Sequence, residues 1–127
     1  MLAPTQRSVR RLLIVGDDSM GTFATRVLRR AGFTTTHVGS GEEAIPVLTQ
    51  GAWDAMLTDA QLPGMSGLEL ASAARGAHPG LGIAIMSTYT SAEMVAQLER
   101  CGADALLAKP LTPAGLTARM KELLAVG

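Results

Sequence analysis

A fivefold alternation of short strand-like runs with amphipathic segments is the feature that most constrains this chain; four of the runs are apolar, and the second, 34–38, is rich in β-branched residues. The runs have the length of β-strands, and apolar residues in the segments between them recur with a helical period. Strands that are apolar on both faces and separated by helices form a parallel sheet covered on both sides. The sequence therefore predicts one doubly wound α/β domain. The predicted strands cover residues 12–15, 34–38, 55–58, 83–86 and 105–107.

Local signals mark the ends of several helices. Ser40 followed by Glu43 predicts a capping box at the start of the second helix. Pro46 lies inside that helix and predicts a kink or a looser turn, because proline removes a backbone donor. Gly32 and Gly102 follow the last apolar positions of the first and fourth helices and are typical of helix ends.

Composition narrows the class of protein. The 127 residues suit one domain, and 47% hydrophobic with 17% charged residues excludes a disordered chain. Eleven basic residues balance eleven acidic ones, which predicts no direct contact with nucleic acid and no attraction to a membrane surface. The single Cys101 cannot form an internal disulfide, so we expect a reducing, cytoplasmic location. Residues 1–10 are predicted to be a flexible lead-in to a domain over 11–127.

Polar residues follow most of the predicted strands, where ligands bind in a fold of this kind. The second strand has no charged residue at its end, and placing it at the sheet edge gives the strand order 2-1-3-4-5. The other four strand ends then form one contiguous site. The polar residues at these ends are Asp17, Asp18, Asp59, Ser87, Thr88 and Lys109.

This set of carboxylates, hydroxyl and ammonium predicts a site that binds a divalent cation and transfers a phosphoryl group to a carboxylate. Carboxylate oxygens suit a hard cation such as Mg²⁺, which reduces the repulsion between a carboxylate and an incoming phosphoryl group. A carboxylate can then act as the nucleophile, while lysine and hydroxyl donors bind the phosphoryl oxygens. The sequence contains no P-loop, no GxGxxG and no Cys or His cluster. His37 and His78 are predicted to lie away from the strand ends. Trp53 and Tyr89 are predicted to be packing residues, with a role of Tyr89 in access to the site left open.

Several segments of the chain closely resemble response-regulator receiver domains. The likeness runs from about Arg11 to Leu124, and Ser87 and Lys109 are 22 residues apart, as in that family. The resemblance implies a flavodoxin-like receiver fold and a switch that receives a phosphoryl group from a sensor histidine kinase or a phosphotransfer protein. The segments that carry it are 12–15 with Asp17 and Asp18, 56–59, 62–70, 85–87, and 102–104 with Lys109 and Pro110.

The resemblance also implies a role for each site residue. Asp59 would be the phospho-acceptor, with Ser87 bonded to the phosphoryl group and Lys109 paired with it. Asp17 and Asp18 would hold Mg²⁺ together with Asp59, with Asp17 the preferred ligand and the direction of Asp18 left open. The remaining implied features are a backbone carbonyl ligand from Gln61 and a cis Lys109–Pro110 bond.

Three positions depart from the family pattern. Gly16 stands where the first of two consecutive acids is usual, and Leu106 replaces an aromatic residue. Thr88 occupies a place where alanine or glycine is common. These changes leave the acceptor intact but predict weaker magnesium binding and a smaller conformational switch.

Other interpretations stay open at this point. Each polar residue taken alone suits a helix cap, a turn or a surface charge. A receiver-fold module that binds proteins without phosphorylation is the alternative function, whereas a phosphatase lacks a general acid near Asp59. We predict no enzyme beyond self-phosphorylation and self-dephosphorylation, and a dimer through the fourth helix, fifth strand and fifth helix is possible. The kinase, the output partner and whether the chain is a stand-alone regulator or a fragment stay open.

Overall fold

The computed structural model describes residues 10–125 as five strands and five helices in strict alternation. The predicted lead-in lies outside the described residues except for Arg10. Among the described residues, none of the helices combines the length and apolar character that a membrane span requires. The elements are β1 (Arg11–Val15), α1 (Asp18–Arg30), β2 (Thr34–Val38), α2 (Gly41–Thr49), β3 (Ala55–Asp59), α3 (Gly67–Ala77), β4 (Gly82–Ser87), α4 (Ala92–Cys101), β5 (Ala105–Ala108) and α5 (Pro113–Ala125).

The five strands form one parallel sheet in the order β2-β1-β3-β4-β5, as the sequence predicted. Each predicted strand is present, and β3, β4 and β5 each end one residue later than expected, at Asp59, Ser87 and Ala108. Two residues of the predicted site are therefore held by the sheet itself rather than by a loop.

Alternating strand residues supply two hydrophobic cores, one on each face of the sheet. Leu12, Ile14 and Leu57 pack with residues of α1 and α5. Leu13 and Met56 pack with residues of α2, α3 and α4 on the other face. Burial on both faces explains why β1, β3 and β4 are mostly apolar, whereas the edge strand β2 is polar and buried only at Thr35.

Capping differs between α2 and α3. At α2 the Ser40 hydroxyl accepts from Glu43 N at 3.1 Å, but the Glu43 carboxylate accepts from the amide of Gly39 at 3.0 Å. The capping box predicted there is thus only half formed, whereas Ser66 and Glu69 form a complete one at α3. The helix α2 continues through Pro46 to Thr49, and Gly102 ends α4 with φ +84°, as predicted for a C-terminal glycine.

Candidate functional site

The register of the sheet brings four strand ends to one edge. Val15 of β1 pairs with Thr58 of β3, Asp59 pairs with Met86 of β4, and Ser87 pairs with Ala108 of β5. The residues that follow these positions therefore emerge side by side. The predicted juxtaposition of Asp17, Asp59, Ser87 and Lys109 follows from this register.

Asp59 and Lys109 form the central ion pair of this edge. The Lys109 Nζ lies 2.5 Å from Asp59 Oδ2, although the two residues are 50 positions apart. The side chain of Asp59 is 13% exposed and that of Lys109 33%. The other carboxylate oxygen, Asp59 Oδ1, accepts a hydrogen bond from the amide of Gln61 at 3.0 Å. Both oxygens are therefore oriented while the carboxylate keeps some access to solvent.

The backbone after Asp59 is held by close contact with α3. Gly67 N donates to Ala60 O at 2.9 Å, and Ala60 N donates to Met86 O at 2.9 Å. A Cβ atom on Gly67 would lie 2.1 Å from the carbonyl oxygen of Asp59. Only glycine permits this approach at the start of α3, and sequence reasoning assigned no such role to Gly67.

Ser87 ends β4 and is 4% exposed. Its hydroxyl accepts from the amide of Tyr89 at 2.9 Å, and its carbonyl accepts from the amide of Lys109 at 2.9 Å. The Lys109–Pro110 bond is cis, as the resemblance implied. The expectation that Tyr89 is a packing residue is wrong, because the residue is 64% exposed.

The two consecutive acids after β1 point to different places. Asp17 is the N-cap of α1, and its Oδ1 accepts from Met20 N at 2.8 Å. Asp18 is the first residue of the helix, is exposed, and lines a groove between α1 and α5. Because one residue turns a helix by about 100°, the second acid is carried away from the strand ends. The structure therefore brings Asp17, but not Asp18, to the site of Asp59.

A cavity of about 470 Å³ opens at this edge. Asp17, Asp59 and Lys109 line it, whereas the buried Ser87 and the exposed Gln61 do not. Within residues 10–125 no group of three or more His, Cys, Asp or Glu side chains is placed to hold a metal ion. Two carboxylates nevertheless fit Mg²⁺, which usually keeps several waters and binds one or two protein carboxylates. The lining residues are Asp17, Ser19, Met20, Phe23, Asp59, Met86, Thr88, Lys109, Pro110 and Leu111.

His37 lies closer to the site than predicted. Its Nε2 is 2.8 Å from the carbonyl oxygen of Gly16, the first residue after β1. The expectation that His37 lies away from the strand ends is therefore wrong. The predicted strand order could have indicated this position of His37, since it places the end of β2 next to the end of β1. His78 instead caps the far end of α3.

The family is decided by a comparison with known protein families. The sequence profile of the response regulator receiver domain matches residues 12–121. The chain belongs to this family. Solved receiver domains share its fold: the chemotaxis response regulator CheY4 of Vibrio cholerae has a TM-score of 0.87 at 25% identity, over 92% of this chain and 100% of that one. A CheY-like receiver domain protein of Methanospirillum hungatei has a TM-score of 0.87 at 29% identity, over 93% and 95%. The flavodoxin-like receiver fold is thus confirmed.

Full-length relatives of this receiver domain are response regulators. The DNA-binding response regulator MtrA of Mycolicibacterium paratuberculosis is 36% identical over 116 residues, which cover 90% of this chain and 51% of that protein. The transcriptional regulatory protein PrrA of Mycobacterium tuberculosis is 35% identical over 116 residues, covering 90% and 49%. The chain thus spans about half the length of these relatives. Because one of them is named as DNA-binding, the expectation of no contact with nucleic acid gains no support from them.

Proposed function

We propose that this receiver domain is a phosphorylation-controlled signalling switch in which Asp59 accepts the phosphoryl group. The observation that carries the proposal is the 2.5 Å contact between Lys109 Nζ and Asp59 Oδ2 in a cavity shared with Asp17. A carboxylate with an ammonium on one oxygen and an open cavity beside it suits a nucleophile for a charged phosphoryl donor. The donor is a sensor histidine kinase or a phosphotransfer protein, and we expect a cytoplasmic location.

The chain's own residues account for most of the transfer. A carboxylate oxygen of Asp59 attacks phosphorus as the bond from phosphorus to the donor's nitrogen breaks, which leaves an acyl phosphate on Asp59. Lys109 then pairs with a phosphoryl oxygen through a charge-assisted hydrogen bond. Asp17, Asp59 and the backbone carbonyl of Gln61 would hold Mg²⁺, which when bound neutralises phosphoryl charge. Asp18 stays outside this proposed ligand set because it lines the groove between α1 and α5.

Ser87 links the site to the loop that follows β4. Its hydroxyl accepts from the amide of Tyr89 at 2.9 Å. We expect the Ser87 side chain to turn toward a phosphoryl oxygen when that group is present and donate to it, which moves Oγ away from the Tyr89 amide. The phosphoryl group then biases the conformation of this loop through a differential contact.

The proposal is tested by intact-mass spectrometry after incubation with acetyl phosphate and Mg²⁺. The wild-type protein should gain the mass of one phosphoryl group, and Asp59→Asn should gain none because an amide is not a nucleophile for phosphorus. Asp18→Asn is the matched control and should be labelled like the wild type. An unmodified wild-type protein under saturating donor would contradict the proposal and favour the phosphorylation-independent binding module.

A further inference from the structure

His37 makes a contact that the transfer chemistry does not use. Among the described residues that line the cavity, none comes from β2, the strand that carries His37. The His37 Nε2 nevertheless lies 2.8 Å from Gly16 O. Since a carbonyl oxygen only accepts hydrogen bonds, Nε2 is the donor. A side chain of β2 thus holds the peptide group that directly precedes Asp17.

A second contact shows that α1 provides the space in which the His37 ring lies. A Cβ atom on Gly21 would lie 2.4 Å from Cε1 and Nε2 of His37 and 2.5 Å from its Nδ1. The imidazole therefore occupies the space that any other residue at position 21 would fill. Glycine inside a helix costs about 1 kcal/mol relative to alanine, and here its absent side chain leaves room for the ring.

The loop between β1 and α1 has few other restraints before Asp17. Gly16 N donates to Val38 O at 3.1 Å, and Gly21 N donates to Asp17 O at 2.8 Å. Gly16 has no side chain that could restrain the loop, and glycine allows the widest range of backbone conformations. Asp17 itself is held by its N-cap bond to Met20 N at 2.8 Å, whereas the contact with His37 restrains the Gly16 carbonyl on the other side of the same peptide bond.

We propose that His37 is a positioning residue for magnesium binding. Its hydrogen bond to the Gly16 carbonyl keeps the loop in the conformation that presents Asp17 to the cavity it shares with Asp59. This inference rests on the proposed function, because it takes Asp17 and Asp59 as the ligands of the cation. Groups that orient metal ligands without touching the metal influence affinity in this way.

The main test compares two substitutions of His37. The side-chain amide of His37→Gln can donate at about the position of Nε2, whereas His37→Leu has similar bulk and no donor. By calorimetry with Mg²⁺, His37→Leu should raise Kd about tenfold while His37→Gln stays within about twofold of the wild type. Thr36→Leu, exposed on the same strand, is the matched control and should not change Kd. A role in stability alone would lower the Tm of His37→Leu and leave its Kd unchanged.

Gly21→Ala tests the same contact from the other side. The new Cβ displaces the ring although His37 is retained, and alanine is the better helix former. We expect Gly21→Ala to weaken magnesium binding. Adding His37→Leu to Gly21→Ala should cause no further loss of affinity, because the two residues act through the same contact. Without metal, the backbone amide shift of Asp17 should move in both single variants and not in Thr36→Leu.

The outcomes separate this inference from the function on which it rests. A wild-type protein that binds no Mg²⁺ contradicts the proposed ligand set, and the positioning role is overturned with it. Magnesium binding that is equally tight in the wild type, His37→Leu and Gly21→Ala overturns the positioning role alone. Equal loss in His37→Leu and His37→Gln also overturns it, because the donor would then not matter.

Discussion

In the Asp59–Lys109 pair, the positive charge of Lys109 affects which ions can approach the Asp59 carboxylate. An ammonium 2.5 Å from Asp59 Oδ2 occupies one carboxylate oxygen and repels a divalent cation approaching the same group. In the phosphorylated protein the same charge would instead attract the phosphoryl oxygens. Under the proposed function, Lys109 would therefore oppose magnesium binding before the reaction and support the product after it.

We expect Lys109→Met to bind Mg²⁺ several-fold more tightly than the wild type and to accept phosphate from acetyl phosphate more slowly. The first effect follows from removing a positive charge beside Asp59, and the second from removing a donor for the phosphoryl oxygens. Calorimetry and a time course of intact mass measure the two effects. Lys121→Met, an exposed lysine of α5, is the control, and equal changes in both variants would contradict this account.

The absence of an acid at position 16 gives a second prediction at this scale. A Cβ atom on Gly16 would lie 2.9 Å from the sulfur of Met20, the mobile end of a flexible side chain, so Gly16→Asp should be tolerated. We expect this substitution to tighten Mg²⁺ binding, because divalent affinity rises with ligand charge. Calorimetry measures the effect, with Gly16→Asn as the uncharged control. An unchanged Kd would show that an acid at this position does not reach the cation.

Among the elements, α3 bears most directly on the acceptor. Its complete capping box at Ser66 and Glu69 fixes where the helix starts, and Gly67 follows at once. The helix can then approach the end of β3 so closely that a Cβ on Gly67 would lie 2.1 Å from Asp59 O. The packing of one helix start thus positions the backbone of the proposed phospho-acceptor.

We expect Gly67→Ala to destabilise the domain by about 1–3 kcal/mol, because backbone atoms must move to admit the methyl group. Gly76→Ala is the matched control in the same helix, since a Cβ there meets no atom within 4 Å. The control should stabilise the domain by about 0.5–1 kcal/mol through helix propensity. Urea denaturation measures both changes, and equal effects at the two positions would contradict the close contact.

For the whole molecule, the decisive question is how far the effect of a phosphoryl group spreads. The contact between Ser87 Oγ and Tyr89 N offers a direct route into the loop after β4. Leu106 on β5 is half-buried against the core formed with α2, α3 and α4, and it has neither a ring nor a polar edge. Its reorientation would exchange no hydrogen bond, so the coupling through β5 should be weak.

We therefore expect a beryllofluoride mimic with Mg²⁺ to shift the backbone amides of residues 87–91 strongly and those around Leu106 only modestly. Two-dimensional NMR spectra with and without the mimic measure this. Leu106→Tyr restores an aromatic residue at this position and should enlarge the shifts on α4 and α5. Shifts on α4 and α5 of the wild type as large as those in the loop would contradict the prediction.

Much of the architecture follows from the sequence alone. Short apolar or β-branched runs identified all five strands, and the helical period of the apolar residues identified the segments between them. The uncharged end of β2 led to the observed strand order and so to the meeting of Asp17, Asp59, Ser87 and Lys109. These inferences depend on patterns that are local or repeated along the chain.

Only the tertiary structure decided how individual side chains are directed within that frame. Asp17 and Asp18 are adjacent in sequence, but they diverge at the start of α1. Asp17 lines the cavity beside Asp59, whereas Asp18 lines the groove between α1 and α5. The approach of His37 to Gly16 depends on the register of β1 against β2, and that of Gly67 to Asp59 on how α3 packs. Such contacts are set by rotations and translations of whole elements. No periodicity in the sequence encodes them, because each joins residues whose separation along the chain differs from case to case.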